Sequence, residues 1–147
     1  MTETRKSLVW KGDAVLDKMR KAQVAGVNKT MGACVVWSKT NHRWENQSGV
    51  LEGGIGIAEY AHEVAGGVEG VWGVQDVKYA LIHELGGTIT AKTAKALAIP
   101  LPDGGVAFAK SVTIPARPYL RPSGDINYPQ LPDNIRSAYS KLGGADA

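Results

Sequence analysis

Between Ala14 and Gln47 the chain has no proline, and Leu16, Met19, Val27, Met31, Cys34 and Trp37 recur at near-helical spacing. A run of that length with that period predicts one long amphipathic helix. Few folds of this size accommodate such a rod, so the rest of the chain must pack along it. Asp13 is the expected N-cap, after a break at Gly12. Gly26 and Gly32 weaken the helix by about 1 kcal/mol each relative to Ala, and mark points of close packing against a sheet or a neighbour. Lys18, Arg20, Lys21, Lys29, Lys39 and Arg43 form its wet side. Residues 1–12 read as an arm anchored by Val9 and Trp10.

Ser48-Gly49 ends the rod. Beyond it the pattern changes to period two. Ile55–Val64 reads as a strand, Ala65-Gly66-Gly67 as a turn, and Val68–Val77 as its hairpin partner. Lys78–Leu85 is a short helix stopped by Gly86-Gly87. Thr88–Lys92, Ala96–Pro100 and Val106–Ile114 supply further strands, with a turn at Pro102-Asp103-Gly104-Gly105 that projects as a hairpin from the sheet. Pro132 or Asp133 opens a last helix running to Lys141, after an irregular stretch from Asp125 to Leu131, and 143–147 is a frayed tail. The fold class is α+β: a long N-terminal helix packed on a mainly antiparallel sheet with two short helices. No linker divides the 147 residues, which suits a single domain, 1–147.

The stretch Ser111–Gly124 carries three prolines in eight positions. Pro115 ends the strand because it has no N–H to donate. Pro118 suits the first turn of a short helix, and Pro122 stops that helix. The corner presents Arg117, Tyr119 and Arg121, residue types favoured as interface anchors. Tyr119 is expected to bury its ring on a partner and keep its hydroxyl wet.

Ile114-Pro-Ala-Arg-Pro-Tyr-Leu-Arg-Pro122 resembles the "(I/M)-P-A-R-P-F-(L/I)" signature of tailed-phage neck and tail-completion proteins, a group that includes the Mu-type virion-morphogenesis family. Tyr79-Ala-Leu-Ile-His-Glu-Leu-Gly-Gly87 is similar to the family's "Y-A-x-I-H-E-F-G-G", with Leu85 replacing the aromatic. Ser48-Gly-Val-Leu51 resembles "(T/S)-G-x-L"; the usual basic-Pro pair before it is replaced by Trp44-Glu-Asn-Gln47. The resemblance covers most of Asp13–Gly124. It implies a structural virion protein, not an enzyme. Copies would form a ring of six or twelve subunits at the head–tail junction, joining connector to tail. Its partners would be itself and flanking connector and tail proteins, with genomic DNA passing through the lumen without sequence-specific binding. It would be made and assembled in the host cytoplasm. The residues expected at subunit or partner contacts are Arg117, Pro118, Tyr119, Leu120, Arg121, His83, Glu84, Lys92 and Lys95.

Charge agrees with assembly. The net +3 is distributed as blocks: +6 over residues 1–44, −6 over 45–87, +4 over 88–124 and −1 over 125–147. Opposite blocks suit subunits packed head to tail, whereas a nucleic-acid binder usually shows a dominant basic excess. Glu59, Glu63, Glu69 and Glu84 are candidate partners for Arg117, within the fold or on the next subunit. No apolar run approaches the roughly 20 residues that span a bilayer. The start, Met1-Thr-Glu-Thr-Arg-Lys6, has no apolar signal region. The one cysteine, Cys34, excludes an internal disulfide and reads as a buried thiol.

Catalytic readings are weaker. His83-Glu84 begins a zincin His-Glu-x-x-His, but Gly87 stands where the second His must be, and neither His42 nor His62 has ligand spacing to it. No metal or cofactor is expected. Gly53-Gly54-Ile55-Gly56 has no preceding strand and no following Gly-Lys-Ser/Thr, so it is a connection and not a phosphate loop. The alternatives kept open are a metal-dependent hydrolase using His83 and Glu84, and a small nucleic-acid-binding module using Arg117, Arg121, Lys92 and Lys95.

Overall fold

In the computed structural model, residues 6–42, 49–77, 80–101 and 103–143 are described. The long helix α1 spans Gly12–Thr40. Lys11 precedes it as N-cap, and Asp13 sits in the first turn, where a carboxylate favours the positive helix end, instead of capping it. The helix stops seven residues before the expected Gln47. At its end the Asn41 backbone N–H donates to the Trp37 carbonyl at 2.9 Å, and the Asn41 side-chain amide donates to it at 3.0 Å. The rest of the expected helix end, 43–48, lies outside the described residues, as do Lys78, Tyr79, Pro102 and the ends of the arm and tail.

The buried face of α1 is not the one its large apolar residues suggest. Leu16 is 68% exposed and Met19 is exposed as well. The buried positions are Ala22, Gly26, Thr30, Cys34 and Ser38, spaced four apart, with Met31 beside them. This stripe of small side chains admits other backbones closely. Helix α5, Leu131–Lys141, crosses at Gly26, where an added Cβ would lie 2.5 Å from Ile135 Cγ1 and 3.0 Å from the Ile135 backbone. Thr30 Oγ1 donates to the Gly26 carbonyl at 2.8 Å and accepts from Asn134 at 2.9 Å. Lys18 lies 4.2 Å over the Tyr139 ring, so the two helices run antiparallel. Gly26→Ala should therefore destabilise the protein by about 1–2 kcal/mol, overpacking outweighing the helix-propensity gain. Gly32 has nothing within 4 Å of its added Cβ. Gly32→Ala should instead stabilise, by up to about 1 kcal/mol. Urea unfolding of the two variants reads the opposite signs.

A single-turn helix α2, Val50–Gly54, leads into β1, Ile55–Val64, which pairs antiparallel with β2, Gly67–Val74. The hairpin packs on α1, with Gly70 giving room to Met31. Helix α3, Ala80–Leu85, comes next in the chain. Strands β3, Gly87–Thr90, and β6, Ser111–Ile114, form a second antiparallel pair; β4, Leu97–Pro100, and β5, Val106–Ala109, form a third. The fold is α+β, but the expected single sheet is three two-stranded ladders, and the expected strand Val106–Ile114 breaks at Lys110. The short helices are also more numerous than the two expected. Ala91 N–H donates to the Lys110 carbonyl, linking the last two ladders into one ribbon, residues 87–114. This ribbon projects: its strands pack chiefly on each other and leave Ile89, Leu101, Val106 and Phe108 exposed.

Pro122 starts a helix instead of stopping one. It occupies the first turn of α4, Arg121–Asn127, where a missing N–H costs nothing. The stretch expected to be irregular is thus α4, a 3₁₀ turn at Tyr128–Gln130, and the beginning of α5. The central cluster is Leu51, Ile55 and Tyr119, with Val35, Val74, Val77, Ala80 and Leu120 packed around it. No described helix is long and apolar enough to cross a membrane.

Candidate functional site

The two motif-bearing segments, 80–87 and 114–122, meet and lock. Gly86 closes α3, donating its N–H to the Ile82 carbonyl at 2.7 Å with φ +70°. Its missing side chain lets the proline corner approach: a Cβ there would sit 2.7 Å from Ala116 N and 2.9 Å from the Ile114 carbonyl. Arg117 N–H then donates to the His83 carbonyl at 2.8 Å.

Glu84 completes the lock. Its Oε2 accepts the backbone N–H groups of Tyr119 at 2.7 Å and Leu120 at 3.0 Å, and its Oε1 accepts that of Arg121 at 2.9 Å. These donors stand at the start of α4, where a helix leaves N–H groups without intrahelical partners and favours negative charge. Glu84 is a helix cap delivered from the other motif. Among the described residues it makes no ion pair with Arg117; the motifs join through backbone donors.

Tyr119 points inward. It is 0% exposed, correcting the expectation of a wet hydroxyl on a partner. Its OH donates to the Ala80 carbonyl at 3.2 Å, and its own carbonyl accepts Ser38 Oγ at 2.8 Å. Burial, aided by the nearby Glu84 charge, pushes its pKa up to about 12. One turn further, Ser123 Oγ donates to the Cys34 carbonyl at 2.7 Å. Cys34 is fully buried and its thiol pKa is raised by that burial, so it is poorly suited to react as a thiolate.

The remaining expected contact residues separate by direction. Arg117, Pro118 and Arg121 are exposed on the outer side of the corner, and Leu120 is half-buried against the central cluster. His83 is half-buried; desolvation, then the Arg117 charge, lowers its pKa and favours the neutral ring. Lys92 and Lys95 are exposed on the projecting ribbon, in the connection between β3 and β4. Of the candidate acidic partners, Glu63 lies 3.7 Å from Arg20, while Glu59 and Glu69 are exposed on the β1–β2 hairpin with no ion pair among the described residues. Val9 and Trp10 do not anchor the arm. Leu8 is 92% and Trp10 81% exposed.

Two features escape a reading of the sequence by large side chains. One is the Ala22-Gly26-Thr30-Cys34-Ser38 stripe, whose period of four is the available signal. The other is a cleft of about 380 Å³ lined by Trp72, Glu84, Leu120, Arg121, Gly124, Asp125 and Tyr128. Trp72 Nε1 donates to Tyr128 OH at 3.0 Å across it. Nothing local in the sequence joins β2 to α4. Among the described residues, no three His, Cys, Asp or Glu side chains are grouped as metal ligands would be. Comparison of the chain with protein-family models, with curated proteins and with solved structures finds no match.

Proposed function

We propose that this chain is a structural subunit of a homo-oligomeric ring at the head–tail junction of a tailed phage, joining connector to tail around the DNA channel. The observation that carries an assembly role is exposed apolar surface at both ends of the fold: Leu8 and Trp10 on the arm and Phe108 on the ribbon. The block charges supply register, because heterologous contacts that close by rotation form rings. The phage setting rests on the resemblance of the two locked motifs to neck and tail-completion proteins.

The mass of the purified oligomer in solution tests the ring; six or twelve copies is the expected result, and a monomer at every concentration overturns it. Lys92 and Lys95 on the ribbon are assigned to an acidic neighbouring subunit, whose exposed Glu59 and Glu69 are available. Lys92→Glu with Lys95→Glu should weaken ring formation at least 10-fold by size-exclusion chromatography with light scattering. Unchanged rings with altered DNA retention in particles would place these lysines at the lumen instead.

A further inference from the structure

We infer that the arm segment Leu8-Val9-Trp10 of one copy docks in the Trp72–Tyr128 cleft of the next, so that the ring is built head to tail along α1. This rests on the oligomeric reading above and names its contact. The arm offers three consecutive exposed apolar residues directly before α1. The cleft, about 380 Å³, falls within the range of pockets that hold compact ligands.

The chemistry of the two surfaces is complementary. Trp72, Leu120 and Tyr128 give an aromatic and apolar floor. Arg121 and Asp125, one turn apart on α4, stand exposed at the rim with no ion pair among the described residues. A guanidinium stacks on an indole face, and a carboxylate accepts an indole N–H. Lys11 directly after Trp10, Lys6 four positions before it and Asp13 three after it carry charges opposite to Asp125 and Arg121.

Geometry excludes closure within one chain. The cleft stands at the far end of α1: its wall residues Leu120 and Gly124 adjoin Tyr119 and Ser123, which bond Ser38 and Cys34. At 1.5 Å per residue, Cys34 is about 33 Å along the axis from Gly12. Trp10 is two residues ahead of Gly12, a reach of about 7 Å. An arm that cannot meet its own cleft, on a chain that carries both, makes a heterologous contact.

The test is disulfide trapping in the full chain. Lys11→Cys and Asp125→Cys replace an opposed charge pair and leave Trp10 in place, and the native Cys34 is buried. Mild oxidation of the double variant should give a ladder of dimers, trimers and higher species on a non-reducing gel, reversed by reductant, while each single variant stops at background dimer. Adding Trp10→Ala should cut the ladder at least 10-fold, as loss of a central aromatic anchor does. Both introduced sites are exposed, so circular dichroism should match the parent. A double variant with no more cross-linking than the singles, or one that closes on itself as a monomer, overturns the inference. The wild-type mass separates the two claims: closed rings without a ladder reject this contact alone, and a ladder from a protein that is otherwise monomeric keeps the contact and rejects the ring.

Discussion

Glu84→Ala should cost about 3–5 kcal/mol of folding stability, although Glu84 is only half-buried and, among the described residues, is paired with no cation. Three backbone N–H groups converge on its carboxylate. Hydrogen bonds to a charged acceptor contribute about 1.5–3 kcal/mol each, and donors left without an acceptor in a partly buried corner add their desolvation cost. Water recovers part of this at Arg121, the exposed end of the set. Glu84→Gln should lose about half as much, because its amide carbonyl accepts from two of the donors while its NH₂ group faces the third. The urea midpoint at unchanged m-value reads the difference. Arg117→Ala provides the contrast. Its backbone N–H bond to His83 survives and its side chain is exposed, so stability should change by no more than about 0.5 kcal/mol. A loss of several kcal/mol in Arg117→Ala with little change in Glu84→Ala would reverse the roles assigned to the two residues.

That division, a carboxylate working inward and a guanidinium facing outward, is only half legible in the sequence. The prolines mark 114–122 as a rigid corner, and the Gly86-Gly87 pair marks the end of α3; both stand where local backbone chemistry puts them. What the corner rests on is 37 positions upstream, and no local rule connects an Arg121 N–H to Glu84. Pro122 misleads for a related reason. Proline stops a helix that precedes it and starts one that comes after it, and the choice depends on whether a cap is available. Glu84 supplies that cap. The long helix is visible from its lack of proline, yet its inner face is not, because side-chain size is a poor guide to burial along it. Leu16 and Met19 are large, but α5 and α4 pack against the stripe through Gly26, Cys34 and Ser38, where backbones approach closely. The split between the β3–β6 and β4–β5 ladders likewise falls at Lys110, which interrupts a β-branched run with nothing in composition to mark the break.

Tyr119→Ala should be as damaging as Glu84→Ala, costing about 3–5 kcal/mol. Among the described residues Tyr119 is the largest fully buried side chain, and it stands in the central cluster with Leu51 and Ile55. Truncation opens a cavity between α1, α2 and α3 and strips a partner from the Ala80 carbonyl. Tyr119→Phe isolates the hydroxyl and should cost about 0.5–1.5 kcal/mol. The same hydroxyl predicts a pH dependence whose sign is fixed. Its pKa rises from the ordinary 10.0 to about 12 in the folded protein, so the folded state holds the phenol proton more tightly than the unfolded chain. The corresponding stability is fully present below pH 10 and is lost as pH climbs through 10 towards 12. Chemical unfolding of wild type and Tyr119→Phe at stepped alkaline pH should show wild type losing its advantage across that window and falling below Tyr119→Phe at its top, because a rise from 10.0 to about 12 is worth about 3 kcal/mol, more than the hydroxyl contributes at neutral pH. Parallel curves would mean that the hydroxyl reaches water, and would return Tyr119 to the surface role that its sequence context implies.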